Sequence, residues 1–105
     1  MNPEELQVAA FEIILNSGNA RTIVHEAFDA MREGNYELAE QKLQESNEEF
    51  LKAHQAQTNL LQEYAGGKEV KVEIIMVHAQ DHLMTTMTLR EVALEMLELY
   101  KKLIS

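Results

Sequence analysis

An all-α fold, an antiparallel up-down-up bundle of three long helices, is what this chain of 105 residues predicts. Three observations carry the prediction. One proline and four glycines leave little to interrupt regular structure, and Gly34 and Gly66-Gly67 stand where two turns are needed. Ala, Leu, Glu, Gln, Met and Lys dominate, which are strong helix formers, while Val, Ile and Thr do not alternate with polar neighbours as a strand would require. Apolar residues instead recur three and four apart over most of the chain.

The first helix starts at Asn2, a capping residue, with Pro3 suited to the first helical position and Glu4 and Glu5 placing negative charge against the positive end of the helix dipole. Leu6, Ala10, Ile13, Ser17, Ala20, Val24, Ala27 and Met31 then hold one face. The cluster Asn16-Ser17-Gly18-Asn19 looks like a break, but the register passes through it unchanged. A continuous or mildly kinked helix is expected, with small residues where another backbone comes close. Gly34 supplies a left-handed cap and Asn35 can start the next element.

The second helix is the most regular. Tyr36, Ala39, Leu43, Ser46, Phe50, Ala53, Gln57, Leu60 and Tyr64 step along one face, and Ala65-Gly66-Gly67 stops it. The third runs from about Glu69 to the end of the chain, without Gly or Pro. Helices of about 30 residues span ~45 Å each, and the short turns make neighbours antiparallel. The whole of 1–105 is a single domain.

The third helix is apolar on more than one face. Val72, Met76, Ala79, Leu83 and Met87 form one stripe, and Ile74, Val77, Met84 and Thr88 form a second, with Asp81 set inside it at the spacing of a helix–helix seam. Two partner helices need one broad stripe. The surplus stripe marks an association surface, the reading favoured by a carboxylate that fits a monomer core poorly. The other reading turns both stripes inward, one to each partner helix.

Composition excludes several functions. A net charge of −9 argues against nucleic acid and anionic membrane surfaces, which call for clustered Lys and Arg. The absence of cysteine removes disulfides and thiolate metal sites. No apolar run approaches the ~20 residues of a membrane span, and Met-Asn-Pro-Glu-Glu lacks the features of a signal peptide. A cytoplasmic protein without membrane insertion is expected.

The chemistry concentrates in Val77-His78-Ala79-Gln80-Asp81-His82-Leu83-Met84. On a helix His78 neighbours both Asp81 and His82, one turn on. As a zinc pair, His78 and His82 lack the glutamate of the hydrolytic motif, because Ala79 follows the first histidine, and His25 and His54 do not obviously converge on them. As a nucleophile, His78 has no Ser or Cys partner and no Gly-rich phosphate loop nearby, so it suits the role of acceptor of a transferred group. Phosphoryl transfer fits, since it asks for positioning and hydrogen-bond donors, for which Gln80 and His82 are candidates.

This octapeptide resembles the signature of the lactose/cellobiose-type enzyme IIA component of the bacterial phosphoenolpyruvate-dependent sugar phosphotransferase system. Asn16-Ser17-Gly18-Asn19-Ala20-Arg21, Ala53-His54 through Gln57-Thr58, and Ala65-Gly66-Gly67 agree with it, so the resemblance spans essentially the whole chain. It implies a homotrimer of three-helix subunits, a nine-helix bundle, in which His78 is phosphorylated through Nε2. The donor would be the histidine-containing phosphocarrier protein and the acceptor a cysteine of the cognate IIB component, with IIC as the membrane transporter. Asp81 would meet its two symmetry mates on the trimer axis around a divalent cation, taken as Mg2+. Three carboxylates so crowded cannot all stay ionised without compensation. No sugar pocket is expected, because such a chain touches only carrier proteins. Against this reading stand a non-catalytic trimeric helical adaptor and a metal-binding bundle built on Asp81 and the two histidines.

Overall fold

The computed structural model describes residues 2–104, in three helices: α1 (Pro3–Arg32), α2 (Tyr36–Ala65) and α3 (Ile74–Ile104). They form a rod of 54 × 20 × 19 Å. The start of α1 is set by Asn2, whose Oδ1 accepts from the Glu5 backbone N–H at 2.8 Å while its Nδ2 donates to the Glu5 carboxylate at 2.8 Å. This reciprocal arrangement satisfies a backbone donor that the helix itself leaves unpaired.

Both turns are closed the same way. Gly34 and Gly67 take φ of +80° and +89°, the left-handed region where a side chain is strained. Past them the Asn35 N–H donates to the Ala30 carbonyl at 2.9 Å, and the Lys68 N–H to the Glu63 carbonyl at 3.1 Å. These bonds return the chain across the last helical turn. Asn35 then caps α2, its Oδ1 accepting from the Leu38 N–H at 3.1 Å.

Four expectations need correction. The third helix starts at Ile74, not near Glu69; residues 68–73 are irregular. The segment offers no Ser, Thr, Asp or Asn to cap an earlier start. Val70 is drawn against the core instead, in a stretch whose β-branched residues tolerate extended backbone well. Val72, assigned to the inward stripe, is consequently outside the helix and 86 % exposed. Tyr64, assigned to the inward face of α2, is also exposed, because α3 begins too late to cover the final turn of α2. At Gly18 an added Cβ would meet nothing within 4 Å, so no neighbouring backbone requires a glycine there; the tightly enclosed residues of that stretch are Ser17 and Ala20. α1 nonetheless runs unbroken through the cluster. The terminal Ser105 of the expected third helix lies outside the described residues.

The core has two apolar clusters. Leu6, Ile13, Phe50, Leu60, Met76 and Leu83 belong to one, and Val24, Met31, Leu43 and Leu97 to the other. Fully buried Ser17, Ser46 and Thr86 add polar atoms to the interior. The Ser46 hydroxyl donates to the Leu43 carbonyl at 2.7 Å and accepts from Arg90 Nε at 3.1 Å, while Arg90 Nη2 donates to the same carbonyl at 3.3 Å. Burial pushes the Arg90 pKa below the usual arginine value, and these bonds hold the charged form in place. Arg90 thus pins α3 to α2. Arg90→Leu is expected to cost about 1–2 kcal/mol, the usual worth of hydrogen bonds to a partly exposed charged group. A fall in the urea midpoint with unchanged m-value checks it.

The second apolar stripe of α3 faces outward. Ile74 is 88 % exposed, Val77 and Met84 about half, and Asp81 and Thr88 are exposed. The inward alternative for this stripe is therefore excluded, while Met76, Ala79 and Leu83 of the other stripe are buried.

Candidate functional site

The site is built on the first three turns of α3. Ala79 and Leu83, buried against the core, fix the rotation of the helix, and that rotation decides where every polar side chain between them points. At about 100° per residue, Asp81 falls at the middle of the outward face, with His78 about 60° to one side and Gln80 about 100° to the other.

His78 is exposed. Its ring meets that of His82 edge-on, centroids 4.6 Å apart and planes at 90°. His82 is half-buried, and its Nδ1 is fully enclosed with no hydrogen-bond partner. That leaves Nε2 as the nitrogen through which His82 can serve a ligand. One imidazole is thus open and the other packed against it.

The other candidates are distributed differently. Gln80 does not approach His78: its Nε2 donates to Gln57 Oε1 of α2 at 3.4 Å, on the far flank of α3. Asp81 is exposed, and among the described residues no hydrogen bond or ion pair engages its carboxylate. Among the described residues no three His, Asp or Glu side chains converge on a metal site. His25 and His54 lie apart, against Phe28 and Phe50 respectively. Gln57 is the residue to which reasoning from the sequence gave no role at the site; a carboxamide in the largely apolar stripe of α2 was the signal that could have found it.

The arrangement combines an exposed imidazole, a second imidazole backing it and an unpaired carboxylate in an exposed apolar stripe. The family model described as "PTS system, Lactose/Cellobiose specific IIA subunit" matches residues 8–101. The chain belongs to that family. Among IIA relatives, the lichenan-specific phosphotransferase enzyme IIA component of Bacillus subtilis is 47 % identical over 100 residues, covering 95 % of this chain and 91 % of the relative. The lactose-specific EIIA component of Staphylococcus epidermidis is 44 % identical, covering 97 % and 98 %. The crystal structure of PtcA from S. mutans superposes with a TM-score of 0.96 at 87 % identity, covering 96 % of this chain and 99 % of that one. A IIA(Chitobiose) protein solved in complex with HPr superposes with a TM-score of 0.82 at 35 % identity, covering 95 % and 97 %. Among the described residues three helices account for the regular structure, and none of them is long and apolar enough to cross a membrane.

Proposed function

We propose that this IIA-family protein is a cytoplasmic phosphoryl carrier of sugar uptake, with His78 as the acceptor. A phosphoryl group on the histidine-containing phosphocarrier protein is attacked by Nε2 of His78. The new N–P bond forms as the donor's N–P bond breaks, and the donor imidazole leaves neutral. In the second step a thiolate of the IIB component attacks the same phosphorus, an S–P bond replaces the N–P bond, and His78 is regenerated. IIC carries the sugar through the membrane. The observation that carries the reading is the exposed His78 ring backed edge-on by His82 at 4.6 Å. The solved complex of a IIA relative with HPr supports the choice of donor.

His82 Nε2 would donate to a phosphoryl oxygen, since its Nδ1 is enclosed. Such a transfer has a loose transition state, so placing donors around the moving group is what the protein contributes. The outward stripe of α3 would be the seam of a homotrimer, with Asp81 of each copy on the axis. Asp81 supplies one hard oxygen donor per copy and has no partner of its own, which suits Mg2+ or a similar cation. When bound, the cation would offset the mutual repulsion of the three carboxylates.

Incubation with labelled phosphocarrier protein, followed by peptide mapping, tests this. The expected phosphate is acid-labile, base-stable and located on His78. Label on His82, or none at all, would leave the trimeric adaptor or the metal-binding bundle as the better account.

A further inference from the structure

We infer that the bundle opens as two separate units, divided by a layer of buried hydroxyls, so that the half carrying His78 loosens without the other. A single domain usually has one contiguous apolar core. Here the buried apolar side chains fall into two clusters. One takes Leu6 to Ala20 of α1, Phe50 to Leu60 of α2 and Met76 to Leu83 of α3. The other takes Val24 to Met31, Ala39 to Leu43 and Ala93 to Leu97. The partly buried residues divide in the same way. Met87 packs on the first cluster, and Leu89, two residues on, packs on the second.

Along α1 the two clusters follow one another directly, from Ala20 to Val24. Along the other helices a polar residue intervenes. Among the described residues, the one buried side chain between Leu43 and Phe50 is Ser46, and the one between Leu83 and Ala93 is Thr86. Thr86 Oγ1 is enclosed without a hydrogen-bond partner, and so is Ser17 Oγ, one turn before Ala20 on α1. An enclosed hydroxyl with nothing to bond is destabilising, so this layer holds the helices together less well than the apolar residues on either side. Ser46 is satisfied, but by the Leu43 carbonyl and by Arg90, which itself bonds that carbonyl. Its bonds therefore lead toward the far half.

Other ties between helices also join residues of the same half. Lys42 meets Glu26 at 3.3 Å, Lys101 meets Glu40 at 3.2 Å, and the Tyr36 and Tyr100 rings lie 5.8 Å apart, all in the half away from the site. Gln80 meets Gln57 at 3.4 Å in the half that carries it. Cooperative opening units follow contiguous packing, and here the packing is interrupted on two helices of three. His78 and His82 stand on the turns of α3 anchored by Met76, Ala79 and Leu83, within the first unit. A partner docking there can shift those turns while the far half stays packed as a fixed base. The inference holds whatever reaction His78 performs.

Native-state hydrogen exchange on the full chain, read over peptides of α1 and α2, tests the division. Both helices lie off the proposed seam, so assembly does not mask the result. Ile13→Val trims the first cluster and Val24→Ala the second, and both are small truncations that leave the fold in place. Each is expected to lower protection about five- to tenfold in its own half, residues 6–20 with 50–60 or 24–31 with 39–43, and less than about twofold in the other. Thr86→Val keeps the shape of the side chain and removes an orphaned hydroxyl. In that background the same two substitutions should lower protection in both halves alike. Equal losses in both halves of the otherwise wild-type chain would overturn the proposal, as would losses that stay local once Thr86 is replaced. A Thr86→Val chain that does not fold would overturn it too, because the hydroxyl would then be required rather than unpartnered.

Discussion

His78→Gln is expected to accept no phosphoryl group at all, whereas His82→Gln should still accept it, about ten- to a hundredfold more slowly. The two imidazoles touch, yet their surroundings differ. His78 is exposed on the outward side of α3, where an in-line attack on a carrier-bound phosphorus has room. His82 has one nitrogen enclosed, and its ring meets the His78 ring edge-on. Removing the proposed nucleophile is expected to end the reaction. Removing a donor to the developing charge costs a fraction of the barrier, since one such donor in a well-formed site is worth about 10²–10³ in rate and less where water can substitute. Uptake of label measured over time for both variants separates the roles. Label retained by His78→Gln and lost by His82→Gln would exchange the two assignments.

Asp81→Leu is expected to make the assembly independent of divalent cations and stronger in a chelating buffer. The chain places this carboxylate between Val77 and Met84 in an exposed apolar stripe, so the proposed closing of three copies around it would take three charges out of water together. The penalty for burying an uncompensated ion is several kcal/mol, and an apolar residue of similar size often removes it outright. The wild-type protein should therefore fall apart as EDTA is added at low protein concentration, while the variant remains trimeric. Sedimentation velocity with and without chelator reads the difference. A monomeric variant in the buffer where wild type is trimeric would show that Asp81 is not on the axis.

Much of the fold was legible because it depends on near-neighbour physics. The caps at Asn2 and Asn35, the left-handed Gly34 and Gly67, and the inward stripe of α1 are local or periodic signals, and each appears where the sequence places it. The start of α3 was not legible. The helical period runs back through Val72 and neither Gly nor Pro interrupts residues 68–73, but Val70 is taken up by the core at the end of the bundle, a contact between residues distant in sequence. Tyr64 was misplaced for the same reason, since its exposure depends on where another helix begins. At the site, the juxtaposition of His78 and His82 follows from a spacing of four and needs no tertiary information. The separation of Gln80 from His78 is also helical geometry; its attachment to Gln57 is not, because that bond crosses from one helix to another.

The sequence by itself determined the three helices, their turns, and the cluster of two imidazoles and a carboxylate on one stretch of α3, since spacing along a helix decides which side chains are neighbours. Only the tertiary structure decided which face of α3 is left uncovered, which flank belongs to α1 and which to α2, and how far His82 is enclosed. Those depend on how α1 and α2 pack against α3, and packing partners are chosen by burial across the whole chain rather than by any local run of residues.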